Sequence, residues 1–143
     1  LAVAAGLLAL IAGGFNYYDY RHVTGLAYEY ATTFTTEQDA ACRGVETGQD
    51  KEVGDELRQL FVNVAQGKDI DQTTRRLSFL WQVATMSHYN AYTDHAPLIG
   101  WNLAIAYMKS NDKDKARKVL AQLAGGKYSE AMRNKAKELL EKL

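Results

Sequence analysis

The sequence predicts an all-α protein: antiparallel helical hairpins stacked as a short solenoid, preceded by an N-terminal membrane helix. Three observations lead there. Apolar residues recur at three- and four-residue spacing in one segment after another. Short polar turns such as Gly67-Lys68-Asp69 and Ser110-Asn111-Asp112 separate those segments. The first 14 residues, LAVAAGLLALIAGG, carry neither a charge nor a side-chain hydrogen-bonding group. The composition, 47% hydrophobic and 24% charged with a single proline over 143 residues, is that of one folded domain and excludes a disordered chain.

Taking the elements in order, residues 1–20 read as a transmembrane helix with an aromatic belt. A full span needs about 20 apolar residues. The chain starts on Leu instead of Met, so the run is expected to be the remaining part of a truncated span. Phe15, Tyr17, Tyr18 and Tyr20 follow directly, where rings with polar tips suit a lipid–water boundary. A cleaved signal peptide and a buried Ala/Leu helix are the competing readings; the first lacks a basic leader, the second a polar face. Only Arg21 and Arg43 supply positive charge before Lys51, which predicts a single-pass protein with its domain on the periplasmic or extracytoplasmic side.

Residues 21–51 read as a membrane-proximal helix and loop. Leu26, Tyr30 and Phe34, spaced by four, form one seam. The polar stretch from Gly44 to Lys51, GVETGQDK, marks the boundary to the main array, residues 52–143. In that array Val53, Leu57, Leu60, Phe61 and Val64 have helical spacing and stop at Gly67. A second helix from Asp71 turns Leu77, Leu80, Trp81 and Ala84 inward. After the polar and aromatic MSHYNAYTDH, Pro97 opens the clearest unit of the chain, PLIGWNLAIAYMKSNDKDKARKVLAQL. Its first half sets Leu98, Trp101, Leu103, Ile105 and Met108 among small residues; its second carries Ala116, Val119, Leu120 and Leu123. Between them Asn111 suits a left-handed helix stop and Asp112 an N-cap. Gly125-Gly126 ends the hairpin. The last segment, Ser129 to Leu143, places Ala131, Met132, Ala136, Leu139, Leu140 and Leu143 opposite a Lys/Glu face, as a helix closing a stacked array does.

Leu103-Ala104, Ala106-Tyr107, Asn111-Asp112, Ala116 and Leu120 resemble the tetratricopeptide repeat, in which a Leu-small pair and a Tyr on the first helix pack around a small residue on the second. The resemblance implies that Leu103, Ala104, Tyr107, Ala116 and Leu120 are repeat-packing residues. The match departs where the repeat often has Trp, since Gly100 stands there with Trp101 one place on, and Leu123 replaces a usual small residue. Val53 to Trp81 looks like a worn copy: Gly67 matches the turn, and Thr73 or Thr74 stands near the place of Ala116. Its spacing to Asn111 exceeds the regular period of about 34 residues. The chain also resembles small bacterial proteins that carry such repeats behind one membrane-spanning helix, in which the repeats bind other proteins and do no chemistry.

Composition and motifs point the same way. The halves are oppositely charged, with ten Lys or Arg against five acids from Lys109 onward and seven against twelve before it, a polarity that helix dipoles and solubility explain without nucleic acid. Cys42, the only cysteine, excludes an internal disulfide and a CxxC motif and reads as a small packing residue. His88 and His95 lie seven apart, too far for joint chelation, and no further Cys or His is near. No phosphate-binding glycine loop or GxSxG motif occurs, so neither metal nor cofactor is expected.

The expectation is therefore a non-catalytic docking module for a protein or peptide, tethered to a membrane and able to form a homo-oligomer. Tyr89, Tyr92, Asn102 and Lys109 are its candidate partner-binding residues, because Tyr is favoured at interfaces and the polar pair is placed on the inner face of the hairpin. The alternatives are a small helical enzyme or ligand-binding domain with a site near His88, Tyr89, His95 and Trp101, or a purely structural membrane-proximal spacer.

Overall fold

A computed structural model of the chain describes the backbone of residues 2–43 and 48–143, and the side chains of 8–41 and 48–143. Among them run seven α-helices and no strand: α1 (Ala2–Tyr30), α2 (Thr35–Arg43), α3 (Gln49–Gln66), α4 (Ile70–Ala84), α5 (Ala96–Lys109), α6 (Lys113–Gly125) and α7 (Glu130–Lys142), with one 3-10 turn at Thr93–His95. The all-helical expectation holds. Residues 44–47 of the anticipated boundary loop, and the side chain of Cys42, lie outside the described residues.

The centre is α5. Eleven of its 14 residues are buried, so it is apolar around nearly its whole circumference, as only a helix enclosed by others can be. It packs on α1, α3, α4 and α6, and α6 in turn packs on α7. Gly100 permits the close approach of α4. A Cβ there would stand 2.6 Å from the Trp81 ring of α4. The space that Gly100 leaves without a side chain is thus filled from the neighbouring helix.

The two hairpin turns close alike. Gly67 (φ 66°) ends α3 and Asn111 (φ 56°) follows α5, both left-handed. Past each, a backbone N–H reaches five residues back, Lys68 to the Asn63 carbonyl at 2.9 Å and Asp112 to the Tyr107 carbonyl at 2.8 Å. That is the Schellman closure, which satisfies carbonyls a helix end would otherwise leave open. Asp112 then caps α6 by accepting from the Lys115 N–H, and Ser129 caps α7 by accepting from the Met132 N–H. Gly126, by contrast, is in an extended conformation (φ −84°); there glycine makes room for the Tyr128 ring, which a Cβ would meet at 2.4 Å.

At the other end of the chain, α1 runs unbroken through the position between residues 20 and 21 where the tether was expected to give way to a separate membrane-proximal helix. Its 29 residues extend about 43 Å. Among the described residues no helix is long and apolar enough to cross a membrane. The apolar run passes within one helix into Asn16, the tyrosines and Asp19, which lowers its mean hydropathy. The seam of Leu26, Tyr30 and Phe34 is buried, together with Val23 and Ala27. In α7, Met132, Ala136 and Leu139 are buried as expected, as is Leu143 just after it, whereas Ala131 faces solvent.

Candidate functional site

Two regions carry the functional interest, the inner face of α5 and the loop from Thr85 to His95. The inner face is already occupied. The last turns of α1 and the following Phe34 lie on it: Phe34 meets Trp101 edge to face with centroids 5.0 Å apart, and Tyr30 lies tilted on the same indole at 6.4 Å. Further along, the Lys109 ammonium sits 4.5 Å from the centroid of the Tyr28 ring. Because Tyr28 pairs with the end of α5 and Phe34 with its middle, the two helices run antiparallel. The start of α5 and the loop before it therefore lie at the end of the body opposite the projecting half of α1.

Polar groups lock this arrangement. The Tyr30 hydroxyl donates to Glu138 Oε1 at 2.5 Å and accepts from Lys142 Nζ at 2.6 Å. The hydrogen bond from Tyr30, helped by Lys135, holds the Glu138 carboxyl below the usual carboxylate range, and the same hydroxyl raises Lys142. A ring nitrogen of His22, Nε2, lies 2.8 Å from the Lys142 carbonyl oxygen, and Lys113 pairs with Asp19 at 3.1 Å. The charged side of α7, expected to face water, thus also clasps α1. Among the described residues the Trp101 indole N–H has no hydrogen-bond partner, so the packing around it offsets an unmade bond.

Two of the four expected partner-binding residues serve this interior. Asn102 is 4% exposed and its amide donates to the Leu98 carbonyl at 2.9 Å, one turn back in its own helix. Lys109 donates to the carbonyls of Val64 and Ala65 at 2.6 and 3.0 Å, a cation at the C-terminus of α3 where the helix dipole favours it. Burial pushes its pKa below the ordinary lysine value. Of the packing residues, Leu103, Ala104, Ala116 and Leu120 are fully buried, while Tyr107 is half-buried beneath the Lys115 ammonium. The sequence could mark Leu26, Tyr30 and Phe34 as a seam, but nothing in their spacing names α5 as the surface they meet.

Tyr89 and Tyr92 belong to the loop. Asn90 organises it: the side-chain amide donates to the Val83 and His88 carbonyls, its oxygen accepts from the Tyr92 N–H at 2.9 Å, and its own N–H donates to Thr93 Oγ1. Such Asx bonding fixes an irregular segment without a helix. Tyr92 donates to Glu56 Oε2 at 3.0 Å, and Arg76 holds the other oxygen of that carboxylate at 2.5 Å. Tyr89 is 74% exposed, and its hydroxyl donates to Asp94. That bond raises the phenol pKa, with Asp50 of α3 adding to the effect. His95 is half-buried; burial lowers its pKa against the opposing pull of Asp94 and Asp50. His88 is exposed. Trp101, enclosed by Tyr30 and Phe34, does not join these groups. Among the described residues no three His, Cys, Asp or Glu side chains could hold a metal ion.

A shallow recess of about 380 Å³ lies between the start of α4 and the α5–α6 turn, where Arg75 and Lys115 face Asp71 and Asp112. Sequence periodicity gave no sign of it. Balanced charge gives it no preference for either sign of ligand.

The projecting half of α1 exposes a run of large apolar side chains. Leu8, Leu10, Phe15 and Tyr18 are 67 to 79% exposed, and Ile11, Tyr17 and Tyr20 lie open beside them. Folded monomers rarely leave a contiguous apolar surface of this extent uncovered. No protein-family model, no curated protein and no solved structure matches the chain.

Proposed function

We propose that the chain is a membrane-tethered, tetratricopeptide-like scaffold that docks another protein and performs no chemistry. The observation that carries the tether is the two-faced use of one helix: α1 is locked to α5 over its last turns and bare from Leu8 to Tyr20. Leu8, Ile11, Phe15 and Tyr18, spaced by three and four, share one stripe of α1, but Leu10 and Tyr17 are exposed on the opposite side, so a one-sided protein partner would leave part of the apolar surface in water. Lipid covers a helix on all sides. The extracytoplasmic side follows from the scarcity of Lys and Arg after the run.

The repeat reading is supported by the like closures at Gly67 and Asn111, which end α3 and α5 in the same way, and by the contact of α3 with α5 between them. Docking through the loop is supported by what it offers: Tyr89 and Met86, both largely exposed, on a frame fixed by Asn90, with Asp94 and Asp50 beside them. A rigid aromatic with acidic neighbours suits a basic segment of a protein partner. The inner groove, by contrast, is filled by the chain's own Tyr30 and Phe34.

A photo-crosslinking side chain at position 89, in native membranes, tests this. The expected result is a discrete adduct that Asp50→Lys abolishes and that the same probe at the enclosed position 102 does not give. An adduct pattern indifferent to Asp50→Lys, or none at all, contradicts docking at the loop.

A further inference from the structure

Where the projecting half of α1 meets the body, Tyr17, Tyr18, Arg21 and His22 line a notch of about 430 Å³. Its charges are unevenly engaged. Asp19 is taken by Lys113 at 3.1 Å, and His22 is turned toward the Lys142 carbonyl at 2.8 Å. Arg21 makes no ion pair among the described residues; its guanidinium stands 5.9 Å from the Tyr17 ring centroid. The notch therefore presents one unneutralised guanidinium flanked by two phenols, a donor set that fits a phosphate oxygen.

Its height on the helix selects the source of that phosphate. If the tether reading is right, the apolar run ends at the aromatic belt, and Arg21 stands only about 4.5 Å above Tyr18 along the axis. The headgroup layer on each side of a bilayer is roughly 5–8 Å deep. Lys113 and the end of α7 reach α1 at this same level, through Asp19 and His22, so the body begins where the hydrocarbon ends.

We propose that this notch is a phospholipid headgroup site in which Arg21 binds the phosphate, seating the α5–α6 turn and the end of α7 on the bilayer surface. The proposal rests on the tether, and the test separates the two. The whole chain, carrying arginine labelled with carbon-13 at the guanidinium, is reconstituted in vesicles of phosphatidylglycerol and phosphatidylcholine. Carbon–phosphorus dipolar dephasing is then compared with that of Arg21→Gln, a change at an exposed side chain. The site predicts dephasing of one arginine signal, lost in Arg21→Gln while the variant still floats with the vesicles. Flotation without dephasing, or dephasing that Arg21→Gln leaves intact, overturns the headgroup site and spares the tether. Failure of the unaltered chain to float overturns the tether itself.

Discussion

Phe34→Ala should separate the docked segment of α1 from the body more cleanly than any change in α1 proper. Phe34 is 5% exposed and its ring meets the fully buried Trp101 edge to face. Burial of about 150 Å² of ring at about 25 cal/mol per Å² is worth about 4 kcal/mol, and the methyl that Ala retains reduces the loss to about 3 kcal/mol. Some 1 kcal/mol of that belongs to the aromatic pair itself. Urea unfolding followed by tryptophan fluorescence reads the change, since Trp101 reports on the same contact. With a slope of about 1–3 kcal/mol per molar, the midpoint should fall by 1 M or more. A double-mutant cycle with Trp101→Phe isolates the pair and should return a coupling of about 0.5–1.5 kcal/mol. A total loss under about 0.5 kcal/mol, typical of a surface site, would refute the docking of α1 on α5.

Gly100→Ala should destabilise the chain by about 1–3 kcal/mol, because its Cβ would stand 2.6 Å from the rigid Trp81 ring; a melting temperature equal to the parent's would show that α4 can retreat at no cost. Asp112→Ala and Ser129→Ala each remove a cap and should cost about 1 kcal/mol by thermal unfolding, with unchanged melting counting against the capping bonds. His95 has a folded pKa below its ordinary value of 6.5, so its neutral form is favoured by folding. The stability it contributes is complete above pH 6.5 and is lost as pH falls from there through the folded pKa. Melting curves between pH 7.5 and 5 should therefore be flatter in His95→Gln than in the parent, and parallel curves would contradict this.

How much of this the sequence made legible depended on whether the cause was local. Asn111 and Asp112 announce a left-handed stop and a cap by their own chemistry, and Val53, Leu57, Leu60, Phe61 and Val64 announce a buried face by spacing alone. Trp101 is different. Its spacing shows that it points inward, but its partners Tyr30 and Phe34 come from more than 60 residues upstream, and no local pattern encodes that pairing. Asn102 and Lys109 read as polar residues free for a ligand because polarity alone does not tell a solvent-facing amide from one bonded to the Leu98 carbonyl, nor a ligand-binding ammonium from one held at the end of α3. The same limit hid the clasp of Tyr30, Glu138 and Lys142, since a Lys/Glu helix face looks alike whether it meets water or another helix. Tyr89 was legible as an exposed aromatic; the frame that Asn90 builds around it was not.

The tether is the claim on which the rest of the functional account turns, and extraction of native membranes tests it most directly. After washing with high salt and then alkaline carbonate, the protein should remain in the membrane pellet, and Leu8→Lys with Ile11→Lys should release it. Recovery of the unaltered protein in the wash would contradict the tether, and with it the placement of Arg21 at the headgroup layer.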